Sequence, residues 1–164
     1  RYNIRVVSNS YGGDGPFDPE NPITIASRMA YERNITVVFA GGNAGPVKDT
    51  YNPYAKAPWV IGVAAGSKEG DVADFSSRGT PRQERLANAD PLDDFDAPTI
   101  TAPGTGRAFE SNSGRFTNAM VSTRSTVNLT ANGLDADTEL PLGMIPFYTQ
   151  ISGTSMATPY VSGT

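Results

Sequence analysis

The chain has 164 residues, a formal net charge of −4, 17 glycines, 13 prolines, no cysteine and no histidine. Without cysteine it forms no disulfides and performs no thiolate chemistry, and the additional lack of histidine argues against a zinc or iron site. The negative charge and the absence of a basic stripe argue against nucleic-acid binding, and no apolar run reaches the ~20 residues that a membrane-spanning helix needs.

The first elements along the chain predict a parallel sheet. Residues 3–9 and 35–40 are strand candidates, and the second is a β-branched, apolar run. Between them, Asn21-Pro22 is a helix cap followed by proline at the first helical position, and Asn34 ends the helix. At 3.6-residue spacing, the face of this helix that meets the sheet is predicted to hold Ile23, Ala26, Met29, Ala30 and Arg33. A strand, a helix and a buried strand in this order indicate an α/β fold.

Asn43 lies in a glycine-rich turn directly after the strand at residues 35–40. Residues 41–45 read Gly-Gly-Asn-Ala-Gly. A turn at the carboxyl edge of an open α/β sheet presents its groups to a ligand. The spacing G-x-G-x-x-G and the lysine of a phosphate-binding loop are both missing, so a nucleotide site is disfavoured. From the residues alone, Asn43 is either a left-handed turn residue between glycines or a functional amide donor.

Further strands are predicted at residues 59–65 and 98–102, with an edge strand at 120–123. The connections at residues 80–97 and 105–148 are longer than those usual in a compact domain.

We therefore expect insertions in both connections, at residues 80–97 and at 107–119. The first insertion carries an acidic stretch with Asp90, Asp93, Asp94 and Asp96. A solvated acidic loop is one interpretation of this stretch. A loosely held Ca²⁺ ion is the alternative, because the stretch offers oxygen ligands.

Residues 152–161, Ser-Gly-Thr-Ser-Met-Ala-Thr-Pro-Tyr-Val, indicate a chemistry. Residues 147–151 form the approach to this run, and Ser155 lies where an apolar helix is predicted to begin. We expect Pro159 in its first turn, where N–H groups lack partners within the helix. The outward N–H groups and the helix dipole suit a nucleophile whose reaction creates an oxyanion. The alternative is a helix start made of small residues.

This run resembles the nucleophile motif of the subtilisin-like serine proteases, Gly-Thr-Ser-Met-Ala-(small)-Pro. Other landmarks of that family occur in the same order along the chain. They are Arg-Val-Val-Ser-Asn-Ser-Tyr-Gly-Gly at 5–13, Ala-Gly-Gly-Asn at 40–43, Tyr-Ala-Lys-Ala-Pro-Trp-Val-Ile-Gly-Val at 54–63, Phe-Ser-Ser-Arg-Gly at 75–79, and Ala-Pro-Gly at 102–104.

The resemblance implies a subtilisin-like fold, an α/β architecture with a parallel sheet and helices on both faces. Residues 1–164 would form part of such a peptidase domain. Ser155 would be the catalytic nucleophile, and Asn43 would donate its side-chain amide to the developing oxyanion.

The resemblance also implies a pocket for the substrate side chain that precedes the cleaved bond. Its two walls would be formed by Ser10, Tyr11 and Gly12 on one side and by Ala40, Gly41 and Gly42 on the other. Tyr11 stands where the family usually has leucine. Since none of these residues is charged, we expect the pocket to accept a large apolar or aromatic side chain.

The family's mechanism needs a histidine base and a carboxylate that orients it, whereas this chain has no histidine. In the family both precede the segment that residues 5–13 resemble, so we expect them upstream of Arg1. The chain would then be the nucleophile half of a serine endopeptidase and would be inactive alone. The alternative is a non-catalytic binding domain on a degenerate protease scaffold.

The expected partners are a protein or peptide substrate, without nucleic acid or membrane. The N-terminal part of the domain, or a second copy of the chain, would complete the sheet beside residues 3–9. No cofactor is required. A structural Ca²⁺ ion has a second candidate site in the backbone around Ala55, Ala57 and Val60, where some family members bind an ion. We expect a secreted or extracellular protein, although the lack of cysteine also fits a reducing compartment.

Overall fold

The computed structural model describes residues 3–88, 95–106, 119–124, 140, 143–144 and 147–164. Its elements in chain order are β1 (Val6–Asn9), α1 (Pro22–Tyr31), β2 (Thr36–Ala40), a 3₁₀ helix (Pro53–Lys56), β3 (Val60–Gly66), α2 (Arg82–Asn88), β4 (Ile100–Pro103), β5 (Met120–Thr123), β6 (Tyr148–Ile151) and α3 (Thr154–Ser162).

Four parallel strands form the central sheet, in the order β1-β2-β3-β4. Val38 of β2 lies opposite Ser8 of β1 and Ile61 of β3. All four strands therefore end at the same edge of the sheet, and the predicted α/β fold is confirmed.

Both faces of the sheet are covered over its two central strands, because alternate residues of β2 and β3 point into two separate clusters. The first cluster packs against Ile23 and Ala30 of α1 and comprises Val37, Phe39, Tyr51, Ala55, Ala57 and Val60. The second includes Ala157 of α3 and comprises Val38, Val63, Ala65, Ala73 and Ala102 besides it. Helices lie on both faces, as the resemblance implied.

α1 begins and ends where the sequence predicted. The Ile23 N–H donates to Asn21 Oδ1 at 2.9 Å, and Pro22 takes the first helical position. Asn34, with φ of 59°, adopts the left-handed conformation that commonly follows a helix.

The predicted packing face of α1 is partly wrong. Thr24 and Ser27 are its buried side chains, whereas Ala26 is exposed and Met29 is 47% exposed. The apolar periodicity omitted these two small hydroxyl residues, and the hydroxyl of Ser27 has two partners. The Ser27 hydroxyl donates to the Thr24 carbonyl at 2.7 Å and accepts from Trp59 Nε1 at 2.8 Å. A buried hydroxyl with both roles filled carries little of the usual burial cost.

The predicted edge strand at residues 120–123 forms, but its partner is not the parallel sheet. β5 pairs antiparallel with β6, so that Met120 lies opposite Ile151. The two strands make a separate two-stranded sheet, and β6 leads directly into α3. Pairing with β6 satisfies backbone groups of β5 that an isolated segment would leave open.

The long connections were predicted only in outline. α2 lies within residues 80–97, where no helix was expected. Of the predicted insertion at 107–119, only Ala119 is among the described residues, and it is buried. Asp90, Asp93 and Asp94 also fall outside the described residues.

Asp96 is described, and it is not the solvated loop residue that we expected, since it is only 6% exposed. Its Oδ1 lies 2.9 Å from Lys56 Nζ, and its Oδ2 accepts from the Thr80 N–H at 3.0 Å. Burial acts to raise the pKa of this carboxyl, but hydrogen bonds from Thr80 and Lys56 and the Lys56 charge outweigh it and hold the pKa below its usual range. Asp96 therefore fixes this connection to the 3₁₀ helix.

Tyr51 is buried beneath β3 at 3% exposure, and its hydroxyl has no hydrogen-bond partner in the part of the chain that the structure describes. Burial, and secondarily the negative charge of Asp96, raise the pKa of Tyr51 well above its ordinary value. A methyl group at Gly62 of β3 would overlap this hydroxyl.

We predict that Tyr51→Phe leaves the free energy of unfolding unchanged or raises it by about 1 kcal/mol, because it removes an unpaired buried hydroxyl. Gly62→Ala should lower it by about 1–3 kcal/mol through overpacking. In the Tyr51→Phe background, the cost of Gly62→Ala should be smaller, because the overlapping atom is gone. Urea unfolding of the full-length protein measures all three variants. If Gly62→Ala lowers the free energy of unfolding equally in the wild type and in Tyr51→Phe, the packing of the Tyr51 hydroxyl against Gly62 is contradicted.

The raised pKa of Tyr51 also predicts a pH dependence. The unfolded state releases the phenol proton near pH 10, whereas the folded state retains it to higher pH. The contribution of Tyr51 to stability is therefore full below about pH 10 and is lost as the pH rises through the folded pKa. Unfolding midpoints at several pH values above 9 should fall less steeply for Tyr51→Phe than for the wild type.

Candidate active site

Four segments meet beyond the carboxyl ends of the strands and enclose a cleft of about 250 Å³. Three of them follow β1, β2 and β3, and the fourth is the start of α3. The cleft is lined by Tyr11, Gly12, Gly13, Asp14, Ala40, Gly42, Asn43, Ala44, Thr50, Asn52, Ser77, Thr154 and Ser155. This edge is where an open parallel sheet presents its ligand site.

Thr154, the first residue of α3, holds Asn43 in place. Both its N–H and its hydroxyl donate to Asn43 Oδ1 at 2.9 Å, and its hydroxyl accepts from the Gly42 N–H at 3.1 Å. Because a backbone N–H can only donate, the side-chain atom that it meets must be the amide oxygen. The Asn43 Nδ2 group is therefore directed away from Thr154 and is available as a donor.

Ser155 follows in the first turn of α3, where N–H groups have no acceptor within the helix. Its hydroxyl donates to the Ser10 carbonyl at 2.9 Å, and the Ser10 hydroxyl donates to the Ser155 carbonyl at 2.8 Å. This reciprocal pair connects the end of β1 to the start of α3.

Pro159 lies inside α3 and not in its first turn, so our expectation for it is wrong. Proline has no N–H, and the bond that position 159 would normally give to the Ser155 carbonyl is lost. The Ser10 hydroxyl takes that place. The proline therefore frees an acceptor beside the candidate nucleophile for a contact between α3 and β1.

Gly104, which follows β4, contacts the start of α3 and sets its position. The Gly153 N–H donates to the Gly104 carbonyl at 2.8 Å. A Cβ at Gly104 would lie 2.6 Å from the Gly153 carbonyl and 3.0 Å from Ala157 Cβ. Only glycine permits this approach, so the Ala-Pro-Gly landmark has a packing role against α3, the helix that carries Ser155.

Asn52 joins the two walls of the cleft and was not predicted from the sequence. It is 3% exposed, and its Nδ2 donates to the Ala40 carbonyl at 2.6 Å and to the Tyr11 carbonyl at 3.2 Å. Its Oδ1 accepts from the N–H groups of Gly13 and Tyr54 at 3.4 and 3.2 Å. The pair Asn52-Pro53, like Asn21-Pro22, is a recognisable cap signal, so the position could have been found.

Most residues predicted for the site surround the cleft. Six of them line it, namely Tyr11, Gly12, Ala40, Gly42, Asn43 and Ser155. Ser10 contacts Ser155 instead, and Gly41 is buried behind the wall with its N–H on the Val63 carbonyl. The expectation of an uncharged pocket is wrong, because Asp14 also lines the cleft.

A Ca²⁺ site stays a prediction. In the part of the chain that the structure describes, no three acidic, histidine or cysteine side chains cluster. At the second candidate site, the Ala57 carbonyl accepts from the Val60 N–H at 3.0 Å. A carbonyl has a second lone pair, so this bond leaves room for an ion.

We predict that Asn52→Ala lowers the free energy of unfolding by about 2–3 kcal/mol, because buried partners on both walls lose their hydrogen bonds. Asn52→Asp keeps the acceptor for Gly13 and Tyr54 but loses both donors, and should destabilise as well. The control is Asn34→Gly, which changes an asparagine in a left-handed turn remote from the cleft and should cost little. Thermal unfolding of the full-length protein measures the variants. If Asn52→Ala destabilises the protein no more than Asn34→Gly does, the role of Asn52 in joining the two walls is contradicted.

Comparison with known proteins agrees with this geometry. The model of the Subtilase family matches residues 1–164. The serine protease AprX of Bacillus subtilis (strain 168) is 29% identical over 98% of this chain and 32% of its own length. The subtilisin-like protease SBT5.4 of Arabidopsis thaliana is 38% identical over 72 residues, which are 44% of this chain and 9% of that protein.

Solved structures give the same result. Sphericase superimposes with a TM-score of 0.63 at 26% identity, over 98% of this chain and 41% of sphericase. The prenylagaramide maturation protease PagA superimposes with a TM-score of 0.61 at 22% identity, over 98% of this chain and 42% of PagA, and supports the fold alone. The chain thus spans less than half the length of each of these proteins. The family model matches the whole chain, and the edge of the sheet carries the landmarks expected from the sequence. The chain therefore belongs to the subtilase family.

Proposed function

We propose that the protein carrying this chain is a serine endopeptidase that uses Ser155 as its nucleophile. The observation that carries the proposal is the fixed orientation of Asn43. Thr154 holds the amide oxygen, so the amide nitrogen is left as a donor in the cleft that Ser155 also lines. Its relative AprX, named a serine protease, supports the same chemistry.

In the proposed reaction, Ser155 Oγ attacks the peptide carbonyl carbon while its proton passes to a base. The carbonyl oxygen becomes an oxyanion, which Asn43 Nδ2 and the Ser155 N–H stabilise. The base then gives this proton to the amide nitrogen, and the tetrahedral intermediate collapses. The amine leaves, and an acyl-enzyme remains on Ser155. Water attacks this ester by the reverse sequence of proton transfers and releases the acid.

In the proposed mechanism the base is a histidine from outside this chain, because the chain itself contains none. The Ser155 hydroxyl instead donates to the Ser10 carbonyl, which cannot accept a proton at neutral pH. Asp14 is the only carboxylate among the described residues that line the cleft. We propose that a histidine and its orienting carboxylate, supplied by another part of the protein, complete the site.

Location outside the cell also stays a proposal. None of the helices in the described part of the chain is long and apolar enough to span a membrane.

We predict that the full-length protein hydrolyses unfolded protein and reacts covalently with a fluorophosphonate at Ser155. Ser155→Ala should abolish both, because it removes the attacking oxygen. Ser162→Ala is the matched control, since it removes a serine hydroxyl from the far end of the same helix and should change neither reaction. Peptide mapping by mass spectrometry locates the label. A full-length protein with a histidine and a carboxylate upstream that shows neither reaction would favour the non-catalytic binding domain.

Asn43→Ala should lower kcat roughly 10²–10³-fold with little change in KM, the magnitude known for loss of an oxyanion donor in a subtilisin. The donor acts mainly on the transition state, so binding of the ground state should be nearly unaffected. Steady-state kinetics on a peptide substrate measure both parameters. A loss of kcat/KM of the same size that arises mainly from a higher KM would contradict the assigned role.

The 164-residue chain alone should show no peptidase activity, because its serine has no base. Active-site titration of the purified chain tests this. Titratable hydrolysis, with contaminating protease excluded, would show that the chain supplies its own base.

A further inference from the structure

The cleft contains one charged side chain. Asp14 lines it, and every other lining residue that the structure describes is uncharged. No role was predicted for Asp14 from the sequence, because the predicted wall that contains Tyr11 ended at Gly12.

The wall that carries Asp14 is held in place. Asn52 Nδ2 donates to the Tyr11 carbonyl at 3.2 Å, and Asn52 Oδ1 accepts from the Gly13 N–H at 3.4 Å. Asp14 directly follows the segment whose Tyr11 carbonyl and Gly13 N–H are bonded to Asn52. Gly12 and Gly13 place no side chains between Asp14 and the cleft. A carboxylate on a fixed backbone presents its charge to a bound ligand at a lower entropic cost than one on a mobile loop.

The Asp14 carboxylate is not engaged in an ion pair with any described residue. The lysines that form ion pairs in the described part are Lys48, with Glu84, and Lys56, with Asp49 and Asp96. Asp14 itself is exposed to solvent at the mouth of the cleft. Its charge is therefore open to a partner that enters from solution.

Tyr11 lies on the same wall, with its ring half exposed and held edge-on against Phe39. The apolar stem of a long basic side chain can pack on such a ring while its charged end reaches a carboxylate. The cleft thus combines an aromatic surface for the stem with a negative charge for the head.

We propose that Asp14 makes this cleft select peptides with a cationic side chain, arginine or lysine, at the position that the cleft receives. The proposal rests on the proposed function of the cleft as a peptidase substrate site. It replaces the earlier expectation of an apolar or aromatic preference. A neutral apolar side chain would desolvate the Asp14 carboxylate without pairing with it, whereas a guanidinium both pairs with it and donates hydrogen bonds.

The test compares arginine with citrulline, which has nearly the same shape and no charge. Two fluorescent peptides of alanine and serine carry one or the other at the central position. Their affinities are measured by anisotropy on the full-length protein carrying Ser155→Ala, which cannot form an acyl-enzyme. We expect the arginine peptide to bind about three- to fivefold more tightly at low salt, because the pair is solvent-exposed, and this advantage to shrink at high salt.

Adding Asp14→Asn should reduce the arginine preference to within about twofold, whereas the control Asp18→Asn should preserve it. Asp18 lies in the same segment, bonds to the Glu20 N–H and does not line the cleft, so it controls for net charge. Equal binding of both peptides, a preference that survives Asp14→Asn, or no binding of either peptide would overturn the proposal. Failure of the proposed peptidase function is a separate result, seen as no hydrolysis by the wild-type protein.

Discussion

The two hydrogen bonds from Thr154 to Asn43 Oδ1 are the interaction on which the candidate site depends. They join the turn after β2 to the first residue of α3, and they determine which end of the Asn43 amide faces the cleft. Without them the amide could turn over, and its oxygen would face the cleft in place of its nitrogen. One buried threonine therefore couples the position of α3, which carries Ser155, to the orientation of the Asn43 amide.

The parallel sheet brings these groups together because all its strands end at one edge. The same helix start is fixed on its other sides by Gly104, whose lack of a side chain admits the Gly153 backbone, and by Ser10. Pro159 contributes by leaving the Ser155 carbonyl without its helical partner. The start of α3 is thus held by contacts with the segments that follow β1, β2 and β4.

Sequence patterns predicted the elements better than the contacts that position the candidate site residues. Asn43 and Ser155 could be named as candidates because each stands in a short motif at a strand or helix end. Asn52 could not be assigned its role, since three of its four bonds reach residues 12 to 41 positions away in the sequence, and only the bond from the Tyr54 N–H is local. The packing face of α1 was predicted only in part for a related reason, because the buried Ser27 hydroxyl accepts a bond from Trp59, which lies 32 positions away in the sequence.

The central claim is that Asn43 Nδ2 and the Ser155 N–H face the same oxygen during the reaction. A crystal structure of the full-length protein after reaction with a fluorophosphonate tests this most directly, because the phosphonyl oxygen occupies the place of the oxyanion. The account predicts that this oxygen lies about 2.7–3.1 Å from both nitrogens. An oxygen directed into solvent, or an Asn43 amide turned with its nitrogen toward Thr154, would contradict it.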